Sequence, residues 1–198
     1  MNIFIFICFL IWLYILWVFK RGKLDFFKFV VGSVGFFVFM MIWVQPVATE
    51  SLSKAITSVS GIIGDITGIF KSYPEYNMVF ISRPEGAISL YIDYECSGII
   101  EIMAFTAMLW FFPVYNLGEK VIVNLLGVTW IFVANVLRIL SICLTVYFFG
   151  NDAYYLAHTI IGRIIFYALS VILYFHVFTR SQIIRQKVGN FNYGDNIK

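Results

Sequence analysis

Three residues could cooperate in acyl transfer: Cys96 and His158 stand at the ends of long apolar runs, and Arg138 lies inside one. A cysteine thiolate is a strong nucleophile, and a nearby guanidinium or imidazolium favours it over the thiol. Histidine can accept and return a proton near neutral pH, whereas arginine stays charged and acts only electrostatically. The trio therefore predicts attack by Cys96 on a carbonyl carbon, with His158 as the acid–base group and Arg138 stabilising the developing oxyanion.

The residues around this trio are suited to supporting roles. Ser97 and Gly98 leave the thiol sterically open, since glycine permits close backbone approach. Asn135 lies one helical turn before the arginine, on a stripe of small and polar residues that is typical of the bundle-facing side of a membrane helix. Glu101 falls inside an apolar run, so we expect it to form an ion pair with the arginine of the trio or with Arg163.

The composition is that of a membrane protein. Of the 198 residues, 61% are apolar and 13% are charged, against roughly 45–50% and about 25% in soluble domains. The net charge of +3 is small and scattered, so nucleic acid is not an expected partner. The three cysteines form no CxxC pattern, which argues against a disulfide framework or a zinc finger. Cys8 and Cys143 lie in apolar runs and are predicted to face lipid or the core.

The apolar runs predict five membrane spans in a single domain covering residues 1–198. The predicted spans are Asn2–Phe19, Phe26–Val44, Gly98–Val114, Val121–Phe149 and His158–Phe178. A span needs about 20 apolar residues. Lysines and arginines follow the first span and recur in the tail 179–198, so the positive-inside rule places both in the cytoplasm and the N-terminus outside. The first span has no basic n-region and no cleavage site, so we expect it to remain in the protein.

Residues 45–95, between the second and third spans, are predicted to be extracytoplasmic. Apolar residues recur at helical spacing over Val47–Tyr73, which predicts an amphipathic helix at the outer interface. Two short runs, Met78–Ser82 and Ala87–Asp93, flank turn-forming residues 83–86 and predict a small β-hairpin that leads to the cysteine. The predicted fold class is thus an all-α polytopic membrane protein with about five transmembrane helices, an amphipathic helix and a hairpin.

This topology brings the trio to one depth in the membrane. Cys96 falls at the outer end of span three and His158 at the outer start of span five. Arg138 lies about 27 Å along span four from its cytoplasmic start, close to the outer leaflet. Three alternatives remain open: an arginine that snorkels or pairs for stability, a histidine that merely packs at a helix entry, and a metal site built from Cys96, His158 and a carboxylate.

Three parts of the sequence together resemble the exosortase/archaeosortase family: the segment 95–99, the segment 135–139, and His158 ahead of the last span. The resemblance covers residues 90–178, and the small size is similar to the Gram-positive G-type branch. It implies a membrane-embedded cysteine transpeptidase, analogous to sortases, that processes C-terminal sorting signals made of a short motif, a transmembrane helix and a basic tail. It also implies that Cys96, Arg138 and His158 are the catalytic residues.

The expected function is cleavage of the C-terminal sorting signal of membrane-anchored surface proteins through a thioester, followed by transfer to an amine acceptor. The expected partners are that membrane-protein substrate, the acceptor and the lipid bilayer, with no cofactor or metal. The active site is expected on the extracytoplasmic side of the cell membrane. One alternative is a non-enzymatic membrane subunit of a surface-polymer assembly or export system. A second is a transporter whose polar stripe lines a path.

Overall fold

The computed structural model describes residues 3–83 and 86–187 and is mostly helical. Its α-helices are α1 Ile3–Arg21, α2 Asp25–Trp43, α3 Gln45–Thr67, α4 Ile99–Phe111, α5 Leu117–Phe149, α6 Tyr154–Leu156, α7 Gly162–Tyr174 and α8 Ser181–Lys187. A three-stranded antiparallel sheet lies between α3 and α4 in the chain, in the order β1 Lys71–Tyr73, β2 Met78–Arg83 and β3 Gly86–Tyr91.

Four helical segments in the described part of the chain are long and apolar enough to cross a membrane. They are Ile3–Arg21, Asp25–Trp43, Leu117–Phe149 and Asn151–Ile184. The predicted class, a helical protein that crosses the membrane several times, is therefore confirmed. The helix α4 has 13 residues, which makes it about 20 Å long against a hydrocarbon core of about 30 Å. A crossing at α4, and with it the count of five spans, stays a prediction.

The helices α4 and α5 approach each other closely at Gly127. A side chain at this position would overlap the ring of Phe105, which is fully buried. An apolar core forms around this contact and joins α4, α5 and α7; its buried members are Phe105, Leu109, Ile131, Ala134 and Phe166. Close helix approach of this kind is how membrane helices associate without a hydrophobic driving force between them.

Ring contacts show which loops share an end of the bundle. Phe29, near the start of α2, contacts Phe112 just beyond α4, and Phe112 in turn contacts Phe178 close to α8. The basic loop between α1 and α2 therefore lies at the same end as the last helix. Cys96 precedes α4 and so lies toward the opposite end of that helix.

The helix α3 is shorter than the predicted Val47–Tyr73. It ends at Thr67, where Gly68 adopts a left-handed conformation (φ 69°), and the chain continues into β1, so a helix to Tyr73 was wrong. The buried face of α3 carries one residue of the apolar stripe, Ile56, and is otherwise made of small residues: Ser53, Thr57, Ser60, Gly61 and Gly64. The stripe residues Ile62 and Ile66 are exposed. A position of this helix at the membrane interface stays a prediction.

The predicted hairpin is confirmed as β2 and β3, and β1 adds a third strand that the sequence did not predict. The register pairs Met78 with Tyr91 and Arg83 with Gly86; Pro84 and Glu85 of the predicted turn lie outside the described residues. The strands pack against α5 in a second apolar core, whose buried sheet and helix members include Val79, Ile81, Leu90, Ile92, Ile139, Ile142 and Cys143. The sheet therefore fixes the position of the segment that leads to Cys96.

The last membrane segment begins before the predicted His158–Phe178. Gly150 (φ 94°) ends α5, and a 3-10 turn Asn151–Ala153 leads directly into α6. The sequence predicts an outer loop over Gly150–Leu156, and this was wrong because α6 begins at Tyr154, within that stretch. Two stretches of π-helix, Ala157–Ile161 and Phe175–Arg180, flank α7. His158 consequently lies inside the helical segment, in a π-helical turn, rather than at its first residue.

Candidate active site

The turn that carries Cys96 is held by a carboxylate. Asp93 Oδ1 accepts hydrogen bonds from the backbone N–H groups of Glu95 (3.0 Å) and Cys96 (3.1 Å). Asp and Asn favour such turns because their short side chains can bond the backbone two or three residues ahead. Ser97 Oγ donates to the carbonyl of Tyr94 (3.2 Å), so both neighbours of the cysteine are fixed. The thiol is therefore presented from a rigid turn, before α4 begins at Ile99.

Arg138 reaches the thiol from α5. Its Nη2 lies 3.9 Å from Cys96 Sγ, and the side chain is only 5% exposed. The guanidinium also lies over the ring of Phe166, 5.8 Å from its centroid, a favourable arrangement for a cation. Its Nε has no hydrogen-bond partner in the described chain. A buried donor without a partner remains available to an oxygen of a bound substrate.

His158 approaches the thiol from the π-helical turn. Its Nε2 lies 3.4 Å from Cys96 Sγ, within hydrogen-bonding range for sulfur. The ring of Tyr154 stacks on the imidazole at 5.8 Å with an interplanar angle of 15°. The structure thus brings the three predicted residues together, across sequence separations of 42 for Arg138 and 62 for His158.

Asn135 and Gly98 support the same turn from either side. Asn135 is fully buried, and its Nδ2 donates to the carbonyl oxygen of Cys96 (2.7 Å). Gly98 caps α4 with a left-handed backbone conformation (φ 75°), which a side chain would strain. The predicted ion pair of Glu101 was wrong: in the described chain Glu101 pairs with neither Arg138 nor Arg163, and Arg163 is exposed. The reason is that Arg138 extends toward the thiol instead.

The electrostatic balance keeps the resting cysteine protonated. Burial raises the pKa of the Cys96 thiol, and the charges of Asp93 and Glu95 raise it further, while Arg138 lowers it and offsets only part of this effect. The thiol therefore has a pKa above its ordinary range. A base is needed to remove its proton, and the nearest imidazole, that of His158, is in position to do so.

A model of the family described as transmembrane exosortase matches residues 1–175. The chain belongs to the transmembrane exosortase family. No curated protein and no solved structure matches the chain.

Membership places the chain among multi-pass membrane transpeptidases that take part in protein sorting, and implies a membrane-protein substrate that carries a sorting signal. The G-type branch is not distinguished by the match and stays a prediction. In the described residues, no group of three His, Cys, Asp or Glu side chains comes together as a metal ion would need.

Sequence reasoning missed two residues of the site. Asp93 was not among the predicted site residues, yet it holds the cysteine turn; an aspartate three residues before a candidate nucleophile was the available signal. Tyr154 lies between the predicted fourth and fifth spans and was not among the predicted site residues, yet it stacks on His158, and their spacing of four residues is the helical signal that was overlooked. Of the other cysteines, Cys143 is fully buried in the core, as predicted.

Proposed function

We propose that this exosortase is a cysteine transpeptidase that cleaves the C-terminal sorting signal of a membrane-anchored protein through a thioester on Cys96. The proposal is carried by one observation, the position of Cys96 Sγ between His158 Nε2 (3.4 Å) and Arg138 Nη2 (3.9 Å). A nucleophile, an acid–base group and a fixed cation meeting at one point are the parts that acyl transfer requires. Family membership supports the same reaction class.

In the first half-reaction His158 takes the thiol proton and Cys96 Sγ attacks the carbonyl carbon of the scissile peptide. The Cys96 N–H already donates to Asp93, so it does not serve the oxyanion. Arg138 provides that stabilisation, with its unpartnered Nε as a further donor. The imidazolium then protonates the leaving nitrogen, the C–N bond breaks, and a thioester remains on Cys96.

In the second half-reaction an amine attacks the thioester carbonyl and the C–S bond breaks. His158 accepts a proton from the attacking nitrogen and returns a proton to the departing sulfur, which restores the resting thiol. The surface protein leaves with a new amide bond to the acceptor. Water in place of the amine would give hydrolysis instead.

The tail helix of the substrate is expected to lie against α4 and α7. An open groove of about 640 Å³ runs between these helices, lined mainly by apolar side chains such as Met108 and Tyr174, with Glu101 toward the cysteine end. A groove of this character suits a transmembrane helix better than a soluble peptide. It would direct the residues just ahead of that helix toward Cys96.

The active site is proposed to face the extracytoplasmic side of the cell membrane. The basic loop between α1 and α2 supports this orientation because it lies toward the end of the bundle away from the cysteine. The positive-inside rule assigns that basic end to the cytoplasm. The cysteine then meets sorting signals after their proteins have been exported.

The decisive experiment is to trap the acyl-enzyme. Membranes that express the protein together with host surface proteins are quenched in acid, and the peptide containing Cys96 is analysed by mass spectrometry. We expect an acyl adduct on Cys96 that is absent from the Cys96→Ala variant, together with loss of sorting-signal cleavage. The matched control is Cys143→Ala, which removes another buried thiol and should retain both adduct and cleavage. Unchanged cleavage in Cys96→Ala would refute the proposal and favour a non-enzymatic membrane subunit.

A further inference from the structure

The strand β3 forms one edge of the sheet, because the strand order is β1-β2-β3 and β2 lies on only one side of it. The register of this pair fixes where its backbone groups point. The N–H of Ile92 donates to the carbonyl of Asn77 (2.9 Å), and these two residues continue the register that pairs Met78 with Tyr91. Hydrogen-bonded and non-hydrogen-bonded pairs alternate in antiparallel strands, so the pair of Met78 and Tyr91 is not hydrogen-bonded.

The alternation leaves three residues of β3 with backbone groups directed away from β2: Ala87, Ser89 and Tyr91. Their N–H and C=O groups have no hydrogen-bond partner in the part of the chain that the structure describes. Their side chains are exposed, whereas Ile88 and Leu90 pack against the apolar core. We call these three residues the free edge of β3. Unpaired backbone groups in such a row can pair with another extended chain.

The opposite edge of the sheet is not free in the same way. The strand β1 has only three residues, and α3 lies against it. Ser72 Oγ donates to the carbonyl of Thr57 (2.6 Å), and a side chain at Gly61 would overlap Cβ of Ser72. Short edge strands covered by a helix are protected from pairing with other chains. The sheet therefore offers an extended peptide one edge, that of β3.

The free edge of β3 lies beside the last membrane segment. A side chain added at Gly86, the first residue of β3, would meet Nδ2 of Asn151 at 3.4 Å. Farther along both stretches, Cys96 Sγ lies 3.4 Å from His158 Nε2. Farther still, the groove of about 640 Å³ opens between α4 and α7. The two stretches thus run side by side in the same direction, and the free edge, the thiol and the groove follow one another along the seam between them.

We propose that the free edge of β3 binds the extended segment that precedes the transmembrane helix of the substrate, as an added parallel strand. The occupant of the groove sets the direction, because the substrate helix continues from the scissile bond into the groove just as α4 continues from Cys96. Main-chain hydrogen bonds supply affinity in strand addition of this kind. The inference rests on the proposed function, since it assigns a site to the residues ahead of the scissile bond.

The distance between the free edge and the thiol suits this arrangement. About five residues lead from Tyr91 to Cys96, which corresponds to at most about 17 Å of extended chain. The N–H of Ile92 is bonded to Asn77, so the chain stays ordered beyond the end of β3. A substrate strand that pairs with Tyr91 would therefore reach the thiol with about five further residues. The enzyme would read this segment for an extended backbone.

The first test removes one donor of the free edge. Ser89→Pro deletes an N–H that takes no part in the bonds to β2, and proline is tolerated in an edge strand at such a position. We expect cleavage of host surface proteins in membranes to fall about five- to tenfold, because one backbone hydrogen bond to the substrate is lost.

Ser82→Pro is the matched control for this test. Ser82 lies on β2 in a non-hydrogen-bonded pair with Ala87, so its N–H points away from β3, and the variant should retain cleavage. Thermal unfolding and alkylation of Cys96 by iodoacetamide should be the same in both proline variants. An unchanged cleavage rate in Ser89→Pro, or an equal loss in both variants, would overturn the edge site.

The second test maps the contact without altering the backbone. The photo-crosslinker p-benzoylphenylalanine replaces Ser89 in the full chain with Cys96→Ala, which should hold the substrate uncleaved. The register places Lys71 and Ser89 on either side of Phe80, so the same crosslinker at Lys71 is a control about 10 Å away at the covered edge. A third chain carries it at Met108, which lines the groove.

From Ser89 we expect adducts to the segment just ahead of a C-terminal transmembrane helix, in a protein that the unmodified enzyme cleaves. From Met108 we expect adducts to that helix itself, and from Lys71 none. Absence of an adduct at Ser89, adducts to another part of the substrate, or equal adducts at Lys71 would overturn the inference. Adducts at Met108 alone would leave the thioester mechanism standing, whereas unchanged cleavage in Cys96→Ala would refute that mechanism separately.

Discussion

Cys96 and Cys143 are buried in the same apolar core, yet their surroundings differ in the one respect that matters for chemistry. Both are nearly inaccessible, at 7% and 0% exposure. Cys96 lies in a turn and faces a guanidinium and an imidazole, whereas Cys143 lies within α5 and no polar side chain among the described residues is hydrogen-bonded to its thiol. Burial by itself therefore does not distinguish a nucleophile from a packing residue; the polar groups aimed at the sulfur do.

The backbone explains why only one of these thiols gained polar partners. A residue inside a helix points in a direction fixed by the helix, so the neighbours of Cys143 are the apolar side chains of its core. The turn before α4 instead leaves the thiol of Cys96 at a junction where α5 and the last membrane segment meet. Asp93 and Asn135 hold that turn through its backbone. The difference thus originates in a local turn and is completed by packing.

The largest effect is expected when Arg138, the cation that distinguishes Cys96 from Cys143, is removed. Arg138→Met keeps the bulk of the side chain but removes its charge, and should lower sorting-signal cleavage roughly 100- to 1,000-fold. Cleavage rates in membranes, normalised to protein amount, measure this. Arg163→Gln is the control, because Arg163 is exposed and should be dispensable. Equal losses in both variants would mean that positive charge, and not position, is what Arg138 supplies.

A smaller effect is expected when the turn loses its support. Asn135→Ala removes the hydrogen bond to the Cys96 carbonyl and should cost about 1–2 kcal/mol of unfolding free energy and lower cleavage about tenfold. Asn124→Ala is a matched control, since it removes a partly buried side-chain bond from Thr106 away from the thiol. We expect a similar loss of thermal stability with unchanged cleavage in the control. An unchanged cleavage rate in Asn135→Ala would show that the cysteine turn keeps its position without this hydrogen bond.

Two charge-removing variants, Glu95→Gln and Arg138→Met, should shift the pH dependence of Cys96 alkylation by smaller amounts and in opposite directions. The pKa of this thiol is raised by burial, so alkylation by iodoacetamide should rise with pH through a range above that of an ordinary thiol. Glu95→Gln removes a negative charge that raises the pKa, so the profile should move to lower pH. Arg138→Met removes the charge that lowers the pKa, so the profile should move to higher pH. Mass spectrometry of the Cys96 peptide measures both, and shifts in the same direction would contradict these charge assignments.

The smallest functional effect is expected at the other cysteine. Cys143→Ala should leave cleavage unchanged and lower the unfolding free energy by about 1 kcal/mol, because only packing is lost. Thermal unfolding in detergent and the cleavage assay together check this. A loss of cleavage in a variant that remains folded would end the contrast between the two thiols.

The sequence predicted the parts of the molecule that depend on local pattern. Long apolar runs predicted membrane helices, and short alternating runs around turn residues predicted β2 and β3, because hydrophobic burial follows the period of the backbone. The ends of elements were less certain: α3 ends at Gly68, and β1 lies in what was predicted to be helix. Lys71–Tyr73 is paired with β2, and such pairing is a tertiary contact that periodicity does not contain.

For the site, the residue types and a shared depth were sufficient to predict that Cys96, Arg138 and His158 meet. The sequence by itself determined the membrane class, the order of the main helices and this trio, because each depends on hydropathy, charge and spacing along the chain. Only the tertiary structure decided that Glu101 does not pair with Arg138, that Asp93 holds the cysteine turn and that the free edge of β3 lies beside the last membrane segment. Hydrogen bonds and ion pairs act over about 3–4 Å, so which of several polar partners is chosen depends on packing between segments distant in the sequence.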